Sequence, residues 1–272
     1  GKKFRPDLVF TRSAAGVHAG RLLGVPVILD NDNGRSAGLL HKIMKPFATR
    51  IFTPDCQNED YGSKHIKYPG YKELAYLHPD NFTPDPSIKG QLGLKEGEKY
   101  FILRFTSLQA CHDARRRGMS PELKRRLVRF LEEKGKVFIS SEAEFSGEME
   151  KCRLPISSGK IHSALYYADL YAGDSGTMAS ESAVLGTPAI FMLTFAGTLY
   201  YLKELEEKYG LLFHFRHDQE EECFSKIKSL VEAGDTQKQW AERRRKMLAD
   251  KIDVAQYYID LINKNRILVS GT

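Results

Sequence analysis

The chain has 272 residues, of which 42% are hydrophobic and 28% charged, with a formal net charge of +6. This is the composition of an ordinary globular protein, long enough for two domains of the usual ~100–200 residues. No apolar run approaches the ~20 residues of a membrane-crossing helix, no secretory leader is visible, and Cys56, Cys111, Cys152 and Cys223 are scattered without a CxxC pair, which predicts reduced thiols in a cytoplasmic protein.

Apolar strands alternate with helix-length segments, the pattern of βαβ units and parallel sheets. The chain opens directly into a strand over 7–11, without an initiator Met, so roughly half a domain is expected to precede residue 1. A helix over 14–23 stopped by Gly24, a strand over 26–30, a helix over 37–48 and a short strand over 50–53 follow. Residues 54–98 are rich in Pro, Gly and Asp and hold the domain boundary, placed between 84 and 85.

A second α/β unit, 85–251, starts with a strand over 100–105. Ser120 and Pro121 then open a helix with the apolar stripe Leu123, Leu127, Phe130 and Leu131, ended by Gly135. Strands over 137–140, 169–173 and 188–192 and helices over 161–168, 198–209, 219–233 and 236–249 complete it. A last amphipathic helix over 252–263 carries Ile252, Ala255, Tyr258, Ile259 and Ile262 on its apolar stripe. Basic clusters at Arg115–Arg117, Lys124–Arg126 and Arg243–Lys246 are either solvated helix faces or a surface for anionic lipid, an acidic polymer or a nucleotide ligand; no nucleic-acid motif accompanies them.

The most informative stretch runs from Leu170 to Ile190: strand, tight Gly-Asp-Ser-Gly turn, helix, Gly stop, strand. Ser175 is a good N-cap, and Gly176 lets backbone approach a ligand. The first helical amides, with the helix dipole behind them, form an anion site at the carboxyl end of a strand, where open α/β sheets bind ligands. Thr177 and Glu181 are four residues apart and share a helical face, so Glu181 is placed to accept hydrogen bonds from a ribose diol. The alternative is a surface turn with a solvated Glu.

Further motifs support a family resemblance. They are Pro69-Gly-Tyr-Lys-Glu-Leu-Ala-Tyr-Leu-His-Pro79, Ile102-Leu-Arg-Phe105 with His112-Asp113 beyond it, Ile139-Ser-Ser-Glu142, Ile161-His162 with Tyr167-Ala-Asp169, and the Asp174–Pro188 run. With these, nearly the whole chain resembles a family of predicted glycosyltransferases of archaea and bacteria, related to the UDP-N-acetylglucosamine 2-epimerase superfamily. The resemblance implies the B-type glycosyltransferase fold, two Rossmann-like domains, the first of them here without its N-terminal strands. It implies a nucleotide sugar on the C-terminal domain, an acceptor on the N-terminal one, and a final helix, 252–272, crossing back to the first domain. Where relatives carry an Asp-Thr-Glu-like motif, this chain has Asp30-Asn-Asp-Asn33.

The resemblance directs attention to particular residues. Arg104 ends an otherwise buried strand and needs a partner, either a ligand diphosphate or an internal carboxylate. His112 sits beyond that strand, placed to polarise a leaving phosphate or simply to face solvent. Ser141 and Glu142 follow the next strand and face base or sugar, or bond their own turn. His162 starts the helix that passes near the nucleobase in related folds. Ser175, Gly176, Thr177 and Glu181 hold diphosphate and ribose. Asp30, Asp32 and His18 are the candidate bases for an acceptor hydroxyl. No metal and no tightly held cofactor is expected, since helix N-termini and cationic side chains can stabilise a diphosphate.

These residues fit three activities. The first is transfer of a sugar from a UDP-sugar to a glycan or lipid-linked acceptor at the inner face of a membrane. The second is 2-epimerisation of a nucleotide sugar, for which neither a His-Gly-Asp-Thr nor a Pro-Glu-Glu-x-x-Asn-Arg motif is present. The third is nucleotide binding without catalysis.

Overall fold

A computed structural model of the chain describes Phe4 and residues 6–32, 42–105, 118–141, 147–194 and 198–264. His112, Asp113, Glu142, Cys111, Arg115–Arg117 and the first five residues, 37–41, of the helix expected over 37–48 lie outside these. The elements run β1 (Val9–Thr11), α1 (Ala14–Leu23), β2 (Val27–Asp30), β3 (Arg50–Pro54), β4 (His65–Tyr68), β5 (Tyr100–Phe105), α2 (Pro121–Glu132), β6 (Lys136–Ser141), α3 (Ile161–Tyr167), β7 (Leu170–Gly173), α4 (Gly176–Leu185), β8 (Ala189–Met192), α5 (Tyr200–Glu207), β9 (Leu212–Phe215), α6 (Glu220–Glu232), α7 (Thr236–Asp250) and α8 (Val254–Lys264). They form two compact units: Gly1–Asn81 with Leu199–Tyr201 and Asp250–Thr272, and Phe82–Thr198 with Leu202–Ala249. No helix among the described residues is long and apolar enough to cross a membrane.

The first unit is a parallel sheet in the order β1-β2-β3-β4. Strands of such sheets are covered on both faces, which is why β2 reads Val-Ile-Leu-Asp and is buried throughout. α1 is bounded by local chemistry: the Ser13 hydroxyl accepts from Gly16 N at 3.1 Å, and Gly24 closes the helix at φ 69°. Val17, Val27, Leu29, Met44, Ala48, Ile51 and Tyr61 pack as its core. α8 belongs to this unit. Its Val254 is buried, and Tyr258 rests 5.0 Å from Phe10 and 5.4 Å from Tyr68 between ring centroids. Of the apolar stripe expected on this helix Tyr258 is packed, but Ile259 and Ile262 face solvent, because the packed face is set by 254, 257 and 258.

The second unit holds a five-stranded parallel sheet ordered β6-β5-β7-β8-β9. The chain leaves β5 to one side for β6 and returns across it to β7, so the topological switch point lies between the carboxyl ends of β5 and β7. α2 is capped by Ser120 and buries Leu123, Leu127, Val128 and Leu131; Phe130 instead reaches out to Phe224, with ring centroids 5.5 Å apart. Trp240 of α7 is buried and donates from Nε1 to Leu211 O at 3.0 Å. Two strands escape sequence reading. β4 and β9 are four-residue edge strands, and each carries a His that breaks the apolar signal.

β5 and β7 approach so closely that a methyl group has no room at Gly173. A Cβ there would lie 2.5 Å from the Arg104 carbonyl oxygen and 2.8 Å from the Tyr171 hydroxyl. Gly173→Ala should cost about 1–3 kcal/mol by overpacking, read as a lower urea midpoint at unchanged slope.

Candidate functional site

The turn after β7 positions the helix start. Gly173 pairs with Arg104 across the sheet, and Asp174 N donates to the Arg104 carbonyl at 3.2 Å. Asp174 is buried, with its carboxylate 4.0 Å from Lys124 Nζ. The Ser175 hydroxyl accepts from Met178 N at 3.4 Å, and its carbonyl takes both Ala179 N at 3.0 Å and the Tyr171 hydroxyl at 3.2 Å. The amides of Gly176 and Thr177 precede that first intrahelical bond. Thr177 is exposed and Gly176 half-buried, so the positive end of α4 reaches solvent at the carboxyl edge of the sheet. From Ala179 onward the helix is buried on every side. Thr177 and Glu181 thus share a face by spacing but not an environment, since Glu181 is sunk to 7% exposure.

Beside this helix lies a cleft of about 380 Å³, lined among others by Arg104, Ser140, Ser141, Arg153, Ser157, Ser158, His162, Met178 and Glu181. Four expected ligand residues, Arg104, Ser141, His162 and Glu181, meet in it. Ser175, Gly176 and Thr177 form the adjoining turn. Arg104 donates from Nη1 to Ser140 Oγ at 2.9 Å. Ser140 and Ser141 are the last residues of β6 itself, rather than a loop beyond it. His162 Nε2 lies 3.1 Å from Glu181 Oε1, and its ring stands edge-on to Phe82 with centroids 6.1 Å apart. Arg153, Ser157 and Ser158 went unremarked in the sequence. Their signal was a polar run ahead of a helix, which many solvent loops also show.

The first unit gathers charge at the carboxyl edge of its own sheet. Arg12 reaches Asp30 Oδ2 at 2.6 Å and also pairs with Asp32 Oδ1. Lys72 pairs with Asp32 Oδ2 at 2.8 Å and stands 3.7 Å from Glu73. Asp30 Oδ1 accepts from the hydroxyls of Tyr258 at 3.1 Å and Tyr68 at 3.4 Å. Burial lifts the Asp30 carboxyl above the usual range despite the pull of Arg12, and the Asp32 charge adds to the lift. Burial alone would lower Arg12, but the two aspartates outweigh it and raise it. Asp30 and Asp32 are thus brought together. His18 is not part of this group: its ring packs on Phe47, 5.1 Å between centroids. Nothing in the sequence links Lys72, Glu73, Tyr68 and Tyr258 to this group; they join it only through the fold. His78, Asp80 and Asp253 also lie within 4.8 Å of one another, but Asp253 Oδ1 is occupied as the cap of α8, accepting from Ala255 N at 2.9 Å and Asn81 Nδ2 at 2.8 Å.

Neither a family model nor a curated protein matches the sequence. Solved structures do. MnaA of S. aureus, in a structure with UDP, matches 100% of this chain and 79% of its own at 13% identity, with a TM-score of 0.66. A UDP-GlcNAc 2-epimerase from Methanocaldococcus jannaschii matches 86% of this chain and 72% of its own at 13% identity, TM-score 0.57. The glycosyltransferase SsfS6 of Streptomyces sp. SF2575, complexed with thymidine diphosphate, matches 95% and 70% at 13% identity, TM-score 0.54. The chain therefore has the B-type glycosyltransferase fold, as its motifs led one to expect. Nucleotide-sugar epimerases and glycosyltransferases share that fold.

Removing Arg12 leaves two buried aspartates with only Lys72 to answer them. Arg12→Met should cost about 3 kcal/mol near pH 7, the low end for a broken buried pair because Arg12 is itself partly exposed. Without the guanidinium the folded-state Asp30 rises further above its unfolded value. The folded chain then holds a proton that the unfolded chain releases, so stability is lost as pH rises through that window. Urea titrations should show a smaller penalty near pH 4.5 than near pH 7.

Proposed function

We propose that this chain is a nucleotide-sugar-dependent glycosyltransferase whose donor, a UDP-sugar, binds at the carboxyl edge of the second unit. The observation that carries the reading is the coincidence at one switch point of an open, Ser-capped helix start, a strand-end Arg104 and a sunken Glu181. In this reading the first amides of α4 and Arg104 take the diphosphate. Glu181 accepts hydrogen bonds from the ribose. His162 and Ser141 line the side where the base lies; His112 and Glu142 stay assigned to the leaving phosphate and to the base or sugar. The acceptor oxygen bonds to the anomeric carbon, the sugar–phosphate bond breaks, and its electron pair leaves with the nucleoside diphosphate. The helix end and Arg104 stabilise the charge that develops there. No tightly held metal or cofactor is needed for that step.

The acceptor's proton needs a base. Asp30 and Asp32 on the first unit are the leading candidates, with His18 as the third. Both aspartates are tied to cations, so proton abstraction by either requires Arg12 or Lys72 to yield first. The acceptor is a glycan or a lipid-linked hydroxyl, and the place of reaction is the cytoplasmic side of a membrane.

Hydrogen bonds to a charged group contribute about 1.5–3 kcal/mol each. Glu181→Ala should therefore weaken UDP binding by roughly tenfold or more in titration calorimetry, with the fold intact by circular dichroism; unchanged affinity refutes the assignment. Incubation with UDP-N-acetylglucosamine and no acceptor should leave the sugar unaltered. Appearance of its manno epimer would replace transfer with isomerisation as the activity.

A further inference from the structure

The amino-terminal edge of the second unit has a cavity of its own, about 400 Å³, beside the starts of β7 and β8. Three cations line it, Lys89, Arg244 and Arg245, together with the rings of Tyr166 and Tyr167, and no Asp or Glu does. Leu185, Pro188 and Leu248 supply apolar wall.

Arg244 is the informative residue. Its stem is fixed at the cap of α4, where Gly186 adopts φ 87° and a Cβ would meet Arg244 Cδ at 2.7 Å. Its Nε donates to Val184 O at 3.0 Å. Among the described residues its Nη1 and Nη2 have no carboxylate partner, and burial holds the guanidinium below its usual range with only the Tyr166 hydroxyl opposing. A guanidinium desolvated in this way gains from an anion placed at its terminal nitrogens.

The plain alternative is that these cations answer the carboxyl ends of α3 and α4, each equivalent to about half a negative charge. Even with Lys89 set against Asp169 of the adjoining cavity, Arg244 and Arg245 exceed that. The adjoining cavity makes the contrast: it shares Lys89, Tyr167 and Gln237, and its Lys89, Lys99 and Lys238 are matched by Glu98, Asp169 and Asp235. Asp169 is spoken for, with Oδ2 accepting from Tyr100 N at 2.9 Å and Oδ1 from Gln237 Nε2 at 2.9 Å.

We infer that this cavity is a second binding site, for a phosphate group carrying an apolar or aromatic substituent. A guanidinium fork and a lysine suit the several oxygens of a phosphate. The tyrosine faces and aliphatic wall suit what is attached to it. A lipid headgroup and a soluble phosphate ester offer the same chemistry. The site is at the opposite edge of the sheet from Glu181 and does not depend on the donor-binding reading.

The test uses the full chain, with phenyl phosphate in calorimetry and vesicles of phosphatidylcholine with or without phosphatidic acid in co-sedimentation. The variant is K89Q/R245Q, two exposed positions whose change leaves the packed stem of Arg244 in place. Binding of either probe, weakened at least about tenfold in K89Q/R245Q and unaltered in E181A, supports the site, two charge-assisted bonds being lost. Variant-sensitive capture by phosphatidic acid vesicles identifies a lipid; binding of phenyl phosphate alone identifies a soluble ester. Failure of both probes to bind the wild-type chain, or binding by K89Q/R245Q within about twofold of it, overturns the inference.

Discussion

A parallel strand that gives way to a helix within two residues leaves the first amides of that helix without a partner inside the helix, and the second unit is organised around such a turn. Backbone must pass close to backbone there, which only a side-chain-free Gly173 permits against Arg104. Asp174 then fastens the turn to the neighbouring strand, Ser175 satisfies one amide, and the Tyr171 hydroxyl braces the Ser175 carbonyl from the buried side. What remains open points out of the carboxyl edge. The fold thus creates a patch of positive potential by geometry alone, before any charged side chain is counted.

The two units treat charge differently. In the first, Arg12 and Lys72 are matched by Asp30, Asp32 and Glu73 inside a shell closed by tyrosine hydroxyls, one of them from α8. Burying such a group contributes little net stability, because desolvation offsets the Coulomb gain, but breaking it is costly. It fixes where β2, the Lys72 turn and α8 meet. In the second unit the acid of interest, Glu181, faces a histidine, and its arginine neighbour is steered by a serine hydroxyl. Neutral or titratable partners hold side chains in place at low electrostatic cost and can be exchanged for a ligand.

What could be read in the sequence was what local chemistry decides. The caps at Ser120 and Ser175 and the stops at Gly24 and Gly186 depend on a few consecutive residues, and each is present. The central strands announced themselves as unbroken apolar runs. Edge strands did not: β4 reads His-Ile-Lys-Tyr and earns its place only by pairing with β3. On α8 the apolar pattern points rightly to Tyr258 but wrongly to Ile259 and Ile262, and Phe10, Phe52 and Tyr68 reveal which side is covered. The candidate site shows the same division. Strand ends and a four-residue helical offset sufficed to nominate Arg104, Ser141 and Glu181. The contact of Glu181 with His162, nineteen positions apart, and the closing of Tyr258 onto Asp30 exist only once the chain has folded.

A sheet of parallel strands is electrically lopsided. Every covering helix starts near the carboxyl edge and ends near the amino edge, so one rim gathers unsatisfied amides and the other unsatisfied carbonyls. At the first rim the open amides of α4 already favour an anion, and Arg104 and Arg153 line the cleft beside them. At the second rim the backbone is of the wrong sign for an anion, and cations are wanted merely to cover the carbonyls, as Arg244 covers Val184. A surplus of cations there, with the Arg244 stem packed against Gly186 and no acid among the lining residues, is more than the helix ends require. The second unit therefore carries positive character at both rims, from backbone at one and from side chains at the other, so a substitution at one rim leaves the source of charge at the other in place.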